Sequence, residues 1–264
     1  MAKTNGPILE VDGVSMYFGG LKAVDNLSFT VNRGEIIGLI GPNGAGKTTV
    51  FNCVTQFYKT YDGGIYFHTD DASRVNLRDI KVTNVIDCGL VRTFQNVELV
   101  PDLTILDNLL IGAHNRFTTG IIQHIFRTKK AREEEKRFIE KAHEILRFLN
   151  IYALKDMYVS GQPYGILKKI EIARTLMSEP KMIILDEPAA GLNERETNEL
   201  QKLIYEIREK YDVTILLIEH DMGFVMNICD RVVAINFGQF IAMDTPKMIQ
   251  QNKAVQEAYL GKDD

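Results

Sequence analysis

The apolar positions along the chain keep two different rhythms. Residues 8–11, 27–31 and 65–67 are short strand-like runs separated by Gly and Asp turns, which predicts a small antiparallel sheet. Residues 35–40 read as a buried strand. Residues 182–185 and 213–218 are continuous apolar runs with polar ends, the pattern of central strands covered on both faces. Between them the period changes to that of a helix. In 131–150, Phe138, Ile139, Ala142, Ile145, Leu146 and Leu149 fall on one stripe. A second helix starts at Glu194, with Leu200, Leu203, Ile204 and Ile207 at helical spacing, Asn193 as N-cap and Glu196 three residues after it. Strands alternating with helices predict an α/β fold, in which ligands sit beyond the carboxyl ends of the strands.

Composition permits a real core. The 264 residues are 45% hydrophobic and 25% charged, with seven prolines, so enough apolar surface is available to offset ordering entropy. The net charge of −4 gives no electrostatic footprint for nucleic acid, and no such partner is expected. No run approaches the roughly 18 apolar residues of a membrane span. The N-terminal stretch lacks the apolar segment of a secretory signal, which places the protein inside the cell. Cys53, Cys88 and Cys229 are odd in number and far apart, and read as reduced core thiols rather than metal ligands.

The segment Gly41-Pro42-Asn43-Gly44-Ala45-Gly46-Lys47-Thr48-Thr49 matches G-x-x-x-x-G-K-[ST] between a strand candidate and a helix-compatible stretch. Gly44 and Gly46 let the backbone wrap a polyphosphate, so that successive N–H groups and a helix N-terminus face its charge. Lys47 reaches the β and γ phosphates, the Thr48 hydroxyl suits Mg²⁺, and Thr49 lies one residue deeper toward the α phosphate. The glycines at 41, 44 and 46 do not follow the G-x-G-x-x-G order of a dinucleotide fold. Downstream, MIILDEP ends a strand in Asp186, placed to hold Mg²⁺, and Glu187, placed to polarise a water. A guanine-reading Asn-Lys-x-Asp is absent: Asn252-Lys253 ends in Val255.

These residues resemble the nucleotide-binding subunits of ABC transporters over nearly the whole chain. GPNGAGKTT, TFQN, a signature-like segment before EIAR, LDEPAAGLN and IEHD occur in the family's order. The resemblance implies a P-loop NTPase (RecA-like) α/β core with a small antiparallel β-subdomain and an inserted α-helical subdomain. It implies one ATP-binding domain over 6–262, with 1–94 and 180–264 as core and β-subdomain and 95–179 as the helical part. By the same resemblance Gln95 senses Mg²⁺ and the attacking water, His220 contacts the γ phosphate, and Phe18, ahead of Tyr17, stacks on adenine. Asn193 stands where the family usually has Asp.

VSGQ at 159–162 imitates the family signature, but the spacing to Ala173 selects Gln162-Pro163-Tyr164-Gly165-Ile166. Pro163 replaces a serine hydroxyl and N–H, and Ile166 replaces glutamine, so γ-phosphate contacts from this segment should be weak apart from the backbone of Gly165. Family members work as head-to-tail pairs, which makes each chain half of two sites.

FGGLKAV, VRTFQNVEL and LLIEHDM are similar to the ATPase subunits of branched-chain amino acid importers. That implies ATP and Mg²⁺ as cofactors and a second ATP-binding subunit, a different chain, with a homodimer open to the isolated protein. It further implies membrane permease subunits, an indirect link to a periplasmic or extracellular solute-binding protein, and a peripheral place on the cytoplasmic membrane face. Residues 97–110 are the candidate contact with the permease or else helical core, and 120–126 pack beside it or cap the subdomain. The alternative is a soluble ABC ATPase outside transport; one set of motifs without a coiled-coil insertion favours import.

Overall fold

The computed structural model describes residues 6–69, 73–93, 98–119 and 128–260. The chain forms two compact units: Met1–Arg92 with Lys181–Asp264, and Thr93–Pro180.

In the first unit, β1 (Pro7–Phe18) pairs antiparallel with β2 (Leu21–Asn32) and with β4 (Tyr61–His68), which carries the short β5 (Arg74–Asn76). Val11 sits opposite Phe29 on one side and Ile65 on the other, all three buried. Both long strands exceed the runs read from sequence. The register slips between Val11 and Val14, where Gly13 takes φ 60°, so alternation breaks while pairing resumes.

The second sheet has the order β10-β9-β3-β8-β7-β6. Its strands are β3 (Ile36–Ile40), β6 (Leu90–Arg92), β7 (Met182–Asp186), β8 (Thr214–Ile218), β9 (Arg231–Asn236) and β10 (Gln239–Asp244). All pairs are parallel except β9–β10. Every residue of β3, β7 and β8 is buried, which is why these strands read as unbroken apolar runs. Glu35 fixes the entry to β3: it accepts a fork of hydrogen bonds from Arg231 at 2.7 and 2.9 Å and one from the Asn32 N–H at 2.5 Å.

Helix α1 (Lys47–Val54) follows β3 and buries Val50, Phe51, Cys53 and Val54 in a core shared with both sheets. Removing the fully buried Phe51 ring would cost about 3–5 kcal/mol. Cys53 and Cys229 are buried thiols as expected, whereas Cys88 is only half-buried because it lies in a short turn.

The second unit is helical: α2 (Ile105–Gly112), α3 (Lys129–Phe148) and α4 (Tyr164–Met177). The predicted 131–150 helix begins earlier, because the Thr128 hydroxyl accepts from the Ala131 N–H, and stops before the left-handed Asn150. Phe138, Ala142, Ile145 and Leu146 bury its stripe. Gly112 is required where α2 meets α4: a Cβ there would stand 2.2 Å from the Arg174 carbonyl oxygen. Among the apolar residues of 97–110, Ile105 and Leu109 are core, while Val100 is exposed. Residues 120–126, left open by the sequence, lie outside the described residues.

Helix α5 (Glu194–Tyr211), α6 (Met222–Ile228), α7 (Pro246–Gln251) and α8 (Lys253–Leu260) complete the first unit. Asn193 and Glu196 form the expected capping box, with both reciprocal bonds at 3.0 Å.

Candidate nucleotide site

The strand-loop-helix reading of residues 41–49 holds in the structure. β3 ends at Ile40, and the loop turns through left-handed Gly44 (φ 79°) and Gly46 (φ 96°), the latter as N-cap of α1. Gly46 is required twice, because a Cβ would also meet the Ala23 carbonyl oxygen at 2.5 Å. Ala45 N–H donates to the Pro42 carbonyl at 3.1 Å. The β9–β10 hairpin supports the loop from the other side: Gly238 N–H donates to the Ala45 carbonyl, and Asp25 N–H to the Gly238 carbonyl, both at 2.9 Å. Burial raises the Tyr259 phenol, against a lowering hydrogen bond from the Gly41 backbone, so α8 also touches the loop's base.

Lys47 is buried and curls over its own loop, donating to the Gly41 carbonyl at 2.6 Å and the Pro42 carbonyl at 3.0 Å. Burial pulls its pKa below the ordinary lysine value, and the Glu187 carboxylate pulls the other way. A desolvated ammonium hydrogen-bonded to two carbonyls, with a carboxylate acting on it from a distance, is a strong attractor for an anion. Asn43, Gly44 and Thr48 are exposed, and Thr49 half-buried, so the outer face of the loop is open.

β7 delivers the carboxylates. Asp186, at its last position, is buried and meets the Arg92 guanidinium at 3.5 Å. Glu187 follows with φ 46°, a left-handed conformation uncommon outside glycine, and stays partly open to solvent. Its carboxylate lies 3.9 Å from His220 Nδ1, and His220 follows β8, so two adjacent strand ends bring the pair together. Glu219, which sequence reasoning passed over, is buried. It accepts from the N–H groups of Ala189 at 2.8 Å and His220 at 3.2 Å, and burial raises its pKa against these bonds. An acidic residue directly after a fully buried strand was the available signal.

Phe18 ends β1, 42% exposed, with its ring edge-on to Tyr58 at 5.3 Å; Tyr17 is similarly open under the Lys22 ammonium. Gly165 lies in the first turn of α4 in the helical unit, two residues after the Pro163 cap. Gln95 lies outside the described residues. Lys47, Glu187 and His220 are therefore linked in the first unit, and Gly165 belongs to the second.

The residues fit a Mg²⁺ ion held partly by substrate. Thr48 and Asp186 offer oxygen donors alone. Among the described residues no group of three or more His, Cys, Asp or Glu could hold a metal unaided. That donor set suits an ion keeping waters and phosphate oxygens.

The ABC transporter family model matches residues 24–190, and the model described as branched-chain amino acid ATP-binding cassette transporter matches 241–264. The chain belongs to the ATP-binding cassette proteins of ABC transporters, and it is an ATPase subunit. It is 42% identical over 256 residues to the high-affinity branched-chain amino acid transport ATP-binding protein LivG of Salmonella typhimurium, covering 97% of this chain and 98% of that one. It is 41% identical over the same length to BraF of Pseudomonas aeruginosa, with the same coverage. A crystal structure of an ABC transporter cassette in its ADP conformation superposes with a TM-score of 0.81 at 34% identity, covering 97% of this chain and all of that one. Among the described residues no helix is long and apolar enough to cross a membrane.

Proposed function

We propose that this chain hydrolyses ATP at the loop of residues 41–49 to drive uptake of branched-chain amino acids through separate permease subunits at the cytoplasmic membrane face. The observation that carries the reading is the buried Lys47 ammonium, satisfied by Gly41 and Pro42 carbonyls inside a loop whose outer face is open.

In the proposed reaction Lys47 leaves those carbonyls for the β and γ phosphates, while the N–H groups from Gly44 to Thr49 line the chain of phosphates. Phe18 stacks on adenine. Thr48, Asp186 and Gln95 would hold Mg²⁺, which would supply positive charge to offset that of the phosphates. Glu187 takes the proton of the attacking water, and His220 supports the γ phosphate. Glu219 holds the backbone on both sides of this pair through Ala189 and His220.

A second ATP-binding subunit closes the site with its signature segment, and this chain's Gly165 backbone serves the partner's site. The partner is a different chain; a solute-binding protein acts through the permease. Purifying the tagged chain from its native membrane tests the reading. Two membrane proteins and a second ATPase should accompany it, and deleting its gene should abolish ATP-dependent leucine uptake. Ribosomes or DNA as companions, with uptake intact, would overturn it.

A further inference from the structure

Arg92 ends β6, the edge strand that pairs with β7, and the sequence gives no reason to single it out. Its guanidinium reaches three groups of the first unit. It lies 4.1 Å from the centre of the Phe51 ring, donates to Asn52 Oδ1 at 3.1 Å, and faces Asp186 Oδ2 at 3.5 Å. Phe51 and Asn52 belong to α1, the helix that carries Lys47 and Thr48 at its start. Asp186 is the carboxylate assigned above to Mg²⁺. One cation thus touches both elements that would build the metal site.

The energetics of the pair set the direction of its effect. The Asp186 side chain is 6% exposed and that of Arg92 20%, so a carboxylate mostly withdrawn from water faces a partly withdrawn cation. A buried carboxylate left alone is costly, and the guanidinium offsets that cost while the metal is away. A positive charge beside the same carboxylate also repels an arriving dication. Both effects favour the metal-free state. The stacking on Phe51 and the bond to Asn52 keep the guanidinium where it is, so the competition does not vanish by rotation of the side chain.

We propose that Arg92 is a positioning residue that acts as the resident counter-ion of Asp186 and competes with Mg²⁺ for it, holding metal affinity low enough for the spent MgADP to leave. This rests on the assignment of Asp186 to Mg²⁺. Arg92 does not touch the nucleotide in this scheme, so binding of metal-free nucleotide is left to Lys47 and the loop.

The test is a titration of the full-length chain with a fluorescent trinitrophenyl-ATP, in EDTA and over a range of MgCl₂, for the parent, Arg92→Met and Asn52→Ala. In Arg92→Met the affinity in EDTA should stay within about twofold of the parent, and the half-saturating Mg²⁺ should fall by about fivefold or more. Asn52→Ala, which keeps the charge and loosens its anchor, should move the Mg²⁺ midpoint in the same direction by less. An unchanged midpoint in Arg92→Met overturns the proposal, as does a higher one, which would make Arg92 a support for the metal ligand rather than its competitor. Parallel loss of binding in EDTA and in Mg²⁺ also overturns it, since Arg92 would then act on the whole fold. A parent whose nucleotide binding ignores Mg²⁺ is a separate failure, that of the metal assignment itself.

Discussion

The Glu187 backbone N–H donates to the Ile218 carbonyl at 2.9 Å, fastening the left-handed residue after β7 to the end of β8. The bond holds the carboxylate and His220 together across two strands although each backbone leaves its strand at that point. Glu187→Gln keeps size and backbone geometry but removes the proposed base. ATP binding should be retained, and turnover should fall about 10²- to 10⁴-fold in a phosphate-release assay. Parent-like turnover would show that another group activates the water.

Lys47→Met should separate binding from folding. Burial lowers the folded pKa of Lys47 beneath its usual 10.5, so the unfolded chain holds this proton more tightly. Its contribution to stability therefore rises with pH from the folded pKa toward 10.5. Calorimetry without nucleotide should show the variant's Tm advantage over the parent shrinking along that interval. ATP at neutral pH should raise the parent's Tm and leave the variant's unchanged. A constant difference across pH would mean that the ammonium is not desolvated.

Pro163 caps α4 without any side-chain hydrogen bond, although its carbonyl accepts the Ile166 N–H at 2.9 Å. The double change Pro163→Ser and Ile166→Gln restores a capping hydroxyl, worth about 1 kcal/mol to the helix start, and returns the missing donors. ATPase in the assembled complex should rise, because the proposed pairing has this segment complete the partner chain's site. An unaltered rate would show that the degenerate segment is not what limits turnover.

Glu134 on α3 accepts from the N–H and hydroxyl of both Thr118 and Thr119. Burial pulls its pKa upward, but these bonds outweigh it and hold the value at about 2, against 4.5 when free. The stability it supplies is complete above pH 4.5 and is lost as pH falls toward 2. Thermal unfolding of Glu134→Gln should be less stable than the parent at pH 7, with the gap closing through that acidic window. A gap that persists at pH 2 would place the effect in packing.

Local chemistry was the legible part of this molecule. The phosphate loop, the Asn193–Glu196 cap and the three buried strands could be read because each depends on neighbours in sequence. Residues that act through distant partners could not. Arg92 gains its meaning only when β6 is laid beside β7, and a three-residue strand carries no periodicity to announce it. Gly238 supports the loop across nearly two hundred positions, a contact that the residues around it do not announce. The helix stripe at 131–150 was correct in its face but shifted at its ends, since those are fixed by the Thr128 cap and the left-handed Asn150 rather than by hydrophobic spacing.

The placement of β3 bears on how the protein is born. Its neighbours on both sides, β8 and β9, come more than 170 residues after it, and the hairpin tip that steadies the loop comes later still. A nascent chain leaving the ribosome carries the whole phosphate-binding motif early but has nothing to hold it in shape until β8, β9 and the hairpin tip have been made. Nucleotide therefore has no early intermediate to rescue, and a truncation after α6, which keeps IEHD but removes β9 and the hairpin tip, should yield a polypeptide that contains the motifs named above and still fails to retain ATP.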